Sequence, residues 1–337
     1  RTPDIFGDGD LANPCVVFTD PTAMKPWLVS SVDRLPDLHY VGAAAGTVCL
    51  PLQTIGASGK ADNITDWALK QFKDRYKVDR AIGAKTSTAS SRRKPGSILP
   101  SSMTAEPMDS GFRRNDEQGE TGPSSGAARE RNGGVPPLLP EGEGKSATRA
   151  RSNARAITKL DIFHYVYAVL HDPVYREKYA QNLKREFPRI PFHPDFWRWA
   201  DWGKTLMDLH IGYESVEPWP LARTDIADEK ARKNGAAPKA MLKADKDNGR
   251  IVLDSETTLA NIPHEAWEYK LGNRSALEWI LDQYKEKKPK DPTIRENFNT
   301  YRFADYKDKV IDLLARVTRV SVETQAIVEA MRAAPRT

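Results

Sequence analysis

Residues 158–211 read TKLDIFHYVYAVLHDPVYREKYAQNLKREFPRIPFHPDFWRWADWGKTLMDLHI. Thr158 and Asp161 stand three residues apart ahead of an apolar run, the spacing of a capping box. Ile162, Phe163, Tyr165, Val166, Val169 and Leu170 then form the broad apolar face of a first helix. His171-Asp172-Pro173 ends it, because proline disfavours helical backbone at the residue before it. Tyr175, Tyr179 and Leu183 recur every fourth residue and predict a second helix over Pro173–Glu186. A third covers Asp195–Ile211, where Phe196, Trp197, Trp199 and Trp202 read as core rather than as a cofactor box. Residues 158–222 therefore form a helical subdomain.

Upstream, the pattern changes to short strands. Pro14–Phe18, Lys25–Val32, Asp37–Val41 and Thr47–Gln53 are rich in β-branched and aromatic residues and separated by Pro, Gly and Asp. Thr65 is positioned to cap a helix carrying Trp67, Leu69, Phe72 and Tyr76. Residues 1–78 make this N-terminal β-rich part and its helix. From 79 to 157 the chain turns to Ser, Gly, Pro, Arg and Glu with no period. Such a composition buries too little apolar surface to offset chain entropy, so this stretch reads as a disordered insertion. Its segments MDSGFRRNDEQG and PPLLPEGEGKS resemble translated bacterial intergenic repeats.

Downstream, residues 223–239 read as a linker and 240–334 as the rest of the domain. Met241–Ala244 and Arg250–Leu253 flank an Asp-Asn-Gly turn and predict a hairpin. Ala266–Leu271 (AWEYKL) predicts a further strand. Ser275 and Glu278 form a full capping box for the helix LEWILDQYK. A long helical region runs from Ala304 to Met331, with a break or bend expected at Arg319–Ser321. The fold class is α/β in the α+β sense. A small mixed β-sheet built from residues 14–55 and 240–271 is expected beside the helical subdomain and the C-terminal helices.

The 337 residues are 39% apolar, enough for a sizeable core, and mean hydropathy is −0.61. No apolar run approaches the roughly 18 residues of a membrane helix. A soluble, cytoplasmic protein is expected. The first residue is Arg1 and no signal-peptide pattern follows, so the chain reads as a fragment of a longer protein. Cys15 and Cys49 lie in apolar runs and read as buried thiols in a reducing compartment. The net charge is +5, but residues 79–157 hold 13 Lys+Arg against 9 Asp+Glu. The remainder is nearly neutral, so a polyanion would be met by a local patch rather than by the overall field.

Motifs for several chemistries are missing. His39, His164, His171, His193, His210 and His264 show no metal-ligand spacing. Gly144-Lys-Ser146 is half of a phosphate loop, but Leu139 stands where its first glycine belongs and no strand precedes it. No GxSxG or GxGxxG turn occurs. The Asn/Asp-Pro-Pro-Tyr/Phe tetrapeptide used by amino-methyltransferases is missing too. A metal-dependent nuclease would need Pro-Asp followed by Asp/Glu-x-Lys. Pro36-Asp37 and Pro194-Asp195 could supply the first half, and Asp228-Glu-Lys230 and Glu268-Tyr-Lys270 the second. Their spacings are long.

Four blocks carry a family resemblance. The first is KPWLVSSVDRLPDLHYV with TVCLPLQ. The second is ADNITDWALKQF, continued after the insertion by residues 157–192 and DFWRWADWGKTLMDLH. The third is GRIVLDSETTLANIPHEAWEYKLGNRSALEWILDQY, and the fourth FADYKDKVIDLLARVTRVSVET. Together they resemble the C-terminal specificity domain of type ISP restriction-modification enzymes, single-chain bacterial defence proteins. These carry nuclease, translocase, adenine-methyltransferase and target-recognition parts. The resemblance implies a non-catalytic domain that reads double-stranded DNA and presents the target adenine to a methyltransferase domain upstream. It implies no cofactor in this chain, with S-adenosylmethionine, ATP and Mg²⁺ belonging to the upstream methyltransferase and translocase domains. No membrane partner is implied.

Within that frame one stretch offers DNA contacts. Reading the major groove needs Arg or Lys for guanine and Asn or Gln for adenine. Phosphate contacts need cations and small polar groups. The loop after Tyr284 supplies Lys285, Lys287, Lys288, Lys290 and Arg295 for the backbone, and Asn297, Asn299, Tyr301 and Arg302 near its end. Asn273 and Arg274 precede a helix N-terminus, itself a good phosphate site. The lysines also suit a solvated helix end, favoured by the macrodipole. A protein-interaction scaffold built on the aromatic helices is the remaining alternative.

Overall fold

The computed structural model describes residues 13–21, 26–33, 36, 46–56, 59–89, 155–287, 289–293 and 300–336, without the side chains of 78–89. Residues 1–78 and 156–337 form one compact unit and 79–155 another. In the first unit, β1 (Cys15–Thr19) lies between β2 (Val29–Val32) and β3 (Thr47–Pro51) in an antiparallel sheet. Every residue of β1 is buried, as the apolar run Cys15–Phe18 suits a strand covered on both faces. A hairpin of β4 (Gln53–Gly56) and β5 (Gly59–Asp62) leads into α1 (Asp66–Ala89). Thr65 starts that helix by accepting the Ala68 amide at 3.2 Å.

The three-helix stretch holds as the centre of the first core. Both halves of the Thr158–Asp161 capping box are made at the start of α2 (Lys159–His171). Asp172 then caps α3 (Pro173–Lys178), and Asp195 caps α4 (Phe196–Ile211). Helices α2 and α4 touch at Gly203. A β-carbon there would lie 1.8 Å from the His164 carbonyl oxygen, so only glycine permits the approach. Phe72, Tyr76, Tyr165 and Phe196 pack ring on ring beside this contact. Their polar atoms are satisfied locally. The Tyr165 hydroxyl donates to the Pro191 carbonyl and accepts from the His193 amide, both at 2.7 Å.

The second core lies under an antiparallel sheet of order β6-β9-β8-β7. Its strands are β6 (Ala222–Asp225), β7 (Ala240–Asp245), β8 (Arg250–Asp254) and β9 (Thr257–Ala260), with α5 (Glu229–Lys233) between β6 and β7. The expected Asp-Asn-Gly turn joins β7 to β8. Gly249 there has φ +59°, and a β-carbon would meet the Ile262 carbonyl oxygen at 2.7 Å. After α6 (Glu265–Glu268) come β10 (Lys270–Leu271), β11 (Arg274–Ser275) and α7 (Ala276–Gln283). A 3₁₀ turn, Phe303–Tyr306, opens α8 (Lys307–Arg332).

Helix α8 belongs to both cores. Val310, Leu314 and Val317 pack in the second, and Met331 in the first. Lys307 pairs with the buried Asp254 carboxylate at 2.8 Å, which ties the start of α8 to β8. Past its end, Arg336 pairs with Asp172, whose side chain is fully buried.

Six expectations need correction. The runs 14–55 and 240–271 build separate sheets, all antiparallel, rather than one mixed sheet. AWEYKL is one helical turn followed by a two-residue strand, because Ala266 and Trp267 are adjacent and both face the core, which alternation along a strand forbids. Helix α3 stops at Lys178, and hydrogen-bonded turns carry the chain on to Glu186. The expected linker 223–239 contains most of β6 and all of α5. Helix α8 runs unbroken through Arg319–Ser321, where Thr318 and Ser321 bond the carbonyls four residues back at 2.7 Å. Helix α1 also runs past Tyr76 into the stretch expected to be disordered. The strand expected at Asp37–Val41, and residues 90–154, lie outside the described residues.

Candidate nucleic-acid interface

Helix α7 organises the candidate residues. Leu277 and Leu281 anchor it in the second core, and Ser275 with Glu278 closes its N-terminal capping box. Its eight residues make it about 12 Å long. At its N-terminal end the tight β10–β11 turn presents Asn273, with Gly272 at φ +72°. Arg274 does not project from this turn. Its guanidinium lies over the Trp279 ring, 5.3 Å from the centroid, and pairs with Asp282 at 3.0 Å. Trp279 is held in turn by its indole bond to the Leu271 carbonyl at 2.8 Å. Both members of the Arg274–Asp282 pair are nearly half exposed, so the pair is worth at most about 1 kcal/mol and a phosphate can compete for the arginine.

At the other end, Tyr284 leads into the basic loop. Lys285, Lys287 and Lys290 are exposed. The loop's two ends meet. The Tyr301 hydroxyl donates to the Tyr284 carbonyl at 2.9 Å, and the Phe303 amide donates to the Glu286 carboxylate at 2.9 Å. Tyr301 also stacks on Tyr306, with centroids 5.4 Å apart. Burial, and then the neighbouring Tyr284, push its phenol above the usual tyrosine range, so it stays a neutral donor. Arg302 is exposed and donates to the Tyr301 carbonyl at 2.7 Å. Lys288, Arg295, Asn297 and Asn299 lie outside the described residues.

The structure thus places Asn273 and Arg274 at one end of α7 and the closed loop at the other. Arg274 lies along the helix between them. Tyr301, named among the DNA-binding candidates, ties the loop at its neck. Sequence reasoning missed Glu286 and Tyr284 as the other halves of that neck. It also missed Lys246, which pairs with Glu278 at 2.8 Å and brings the β7–β8 turn against the start of α7. No periodicity marks such contacts, since each joins residues on different elements.

Asp37 lies outside the described residues, and the described carboxylates considered for a nuclease make structural contacts. Asp195 and Asp228 are helix caps, and Asp228 also accepts from Ser255 at 2.6 Å. Glu268 pairs with Lys270 at 3.7 Å. Among the described residues no group of His, Cys, Asp or Glu is arranged to hold a metal ion. No described helix is long and apolar enough to cross a membrane.

The family model described as the type ISP C-terminal specificity domain matches residues 1–313. Among solved structures, a chain of the DrdV–DNA complex determined by cryo-electron microscopy is 42% identical over 98% of this chain, with a TM-score of 0.68. A nuclease-deletion mutant of the type ISP restriction-modification enzyme LlaGI, solved with a DNA substrate mimic, is 21% identical over 98% of this chain, with a TM-score of 0.56. The ATP-dependent type ISP enzyme LlaBIII bound to DNA is 17% identical over 99% of this chain, also with a TM-score of 0.56. At those identities the last two share the fold alone. The chain spans only 26%, 22% and 17% of the three matched chains, in the same order. None of the curated proteins is similar to it.

Proposed function

The chain belongs to the type ISP C-terminal specificity domain family, and we propose that it binds double-stranded DNA sequence-specifically as the target-recognition domain of a restriction-modification enzyme. On this reading it performs no chemistry itself. It would hold an adenine-N6 methyltransferase domain and a translocase domain of the same enzyme on their site. S-adenosylmethionine, ATP and Mg²⁺ would be bound by those domains, in the cytoplasm of a bacterium.

The observation that carries the proposal is the 42% identity, along 98% of the chain, to a protein solved as a DNA complex. The geometry at α7 supports it. The loop between Tyr284 and Phe303 is closed at its base, so its donors are presented with less ordering cost on binding than an open loop would incur. Lys285, Lys287, Lys288, Lys290 and Arg295 are the proposed phosphate contacts. Asn297, Asn299 and Arg302 are the proposed base readers, with Asn273 and Arg274 gripping the backbone beside α7. Tyr301 supports the loop from its neck.

The test is selection from a pool of random duplexes at two salt concentrations, without Mg²⁺. An enriched motif whose affinity falls steeply with salt is expected, because phosphate contacts release counterions. No retention at low salt would overturn the proposal for this chain.

A further inference from the structure

A second surface, remote in sequence from the loop, combines exposed rings with cations. A groove of about 310 Å³ opens between α3 and the turns that follow it. Buried Leu183 and half-exposed Ile190 line its apolar part, and Tyr179 and Phe187 line it with 37% and 60% of their surface in solvent. These rings are held in place. Phe187 meets Phe18 edge-on at 6.1 Å, and Tyr179 packs against Tyr175 at 5.1 Å. The Tyr175 hydroxyl donates to the Arg189 carbonyl at 3.0 Å and fixes the far wall.

The rim is basic. Residues 178–189 hold Lys178, Lys184, Arg185 and Arg189 against Glu186 alone. Glu186 is already engaged by Asn182 at 3.1 Å and by Arg189 at 2.8 Å, and these contacts hold its carboxyl below the usual range. Lys184 and Arg185 are exposed and lie in sequence between Leu183 and Glu186, which line the groove, and the Lys178 ammonium lies over the Tyr179 ring, 5.4 Å from its centroid. Solvent-facing rings bordered by cations suit a ligand that has both flat apolar faces and negative charge. A base in a duplex has its faces covered by its stacked neighbours. Only an unpaired strand offers them.

We propose that this groove binds single-stranded nucleic acid, with one unstacked base against Tyr179 and Phe187 and the flanking phosphates on Lys184 and Arg185. This goes beyond duplex recognition at α7, and it places a second nucleic-acid contact on the helical half of the unit.

The test uses the full chain and labelled oligothymidylate, followed by fluorescence anisotropy. Phe187→Ala should weaken binding roughly tenfold, the loss typical of one base–ring stack. Lys184→Gln with Arg185→Gln should flatten the salt dependence. Phe187 is mostly exposed, so an unchanged urea midpoint would show that the fold survives its replacement. Oligonucleotides carrying 5-iododeoxyuridine should crosslink to Phe187 or Tyr179. Motif selection from duplexes should be unaffected by Phe187→Ala, so failure of one site leaves the other readable. The proposal is overturned if oligothymidylate is not bound at low salt. It is equally overturned if binding is salt-sensitive but indifferent to Phe187→Ala, which would leave the groove as a protein-docking face.

Discussion

The Tyr301 hydroxyl and the Tyr284 carbonyl, 17 residues apart in sequence, meet at 2.9 Å and close the basic loop at its neck. Tyr301→Phe keeps the ring stacked on Tyr306 and removes only this bond. Stability to urea should fall by about 0.5–1.5 kcal/mol, the net value of one hydrogen bond. Affinity for the selected duplex should fall more than affinity for unrelated duplex, because the neck of the loop loses a tie. An equal loss on both would place the loop outside base reading.

The proposed phosphate contacts and the proposed base readers in the loop should separate in their salt behaviour. Lys285→Ala or Lys290→Ala should lower the slope of log affinity against log salt by about 0.9 each, one phosphate contact apiece. Asn297→Ala, Asn299→Ala or Arg302→Ala should instead cost about 1–3 kcal/mol of discrimination at one base pair. Repeating the motif selection with each variant distinguishes the two classes.

Acid should destabilise the fold before the carboxylates titrate. Burial, and then the neighbouring Arg176, lower the His210 pKa to about 3, and the same two causes push His171 well below its ordinary value. His210 is held neutral between the Tyr167 hydroxyl at 2.6 Å and the Thr324 hydroxyl at 3.0 Å. In the unfolded chain both rings take a proton near pH 6.5. The unfolded state therefore binds more protons below that pH. The stability is fully present above pH 6.5 and is lost as pH falls toward the folded values. Each ring contributes about 1.4 kcal/mol per pH unit. Urea midpoints between pH 6.5 and 5 should show this slope, and His171→Leu should reduce it by about one proton.

Arg336→Ala should be costly for an apparently peripheral change. It would leave the buried Asp172 carboxylate, which also caps α3, without its cation. Removing one partner of a buried pair costs about 3–5 kcal/mol. Asp172→Asn combined with Arg336→Ala should recover part of the loss in urea unfolding, since no unpaired carboxylate then remains inside.

The local elements were legible because their signals are local. Thr158 with Asp161 and Ser275 with Glu278 announce helix starts through side chains three residues apart. Asn248-Gly249 announces a turn through the backbone freedom of glycine. The failures came where tertiary packing decided. Tyr175, Tyr179 and Leu183 fit a helical stripe, yet the chain turns after Lys178 and leaves over a third of Tyr179 in solvent. The candidate site was legible as composition and not as geometry. Lysines and amides in the loop could be counted, but nothing in the spacing of Arg274 foretold that it would lie on Trp279 and pair with Asp282.

Helix α8 sets an order on synthesis. The first core begins with β1, yet Met331 completes it, and the second core lacks a wall until Val310, Leu314 and Val317 are present. Asp172 must wait for an arginine 164 residues downstream. A ribosome delivers these parts after the rest of both cores, so neither half can settle until α8 has emerged. Nascent chains of this domain should expose unfinished apolar surface until α8 emerges, which makes them natural clients for chaperones that hold such surface.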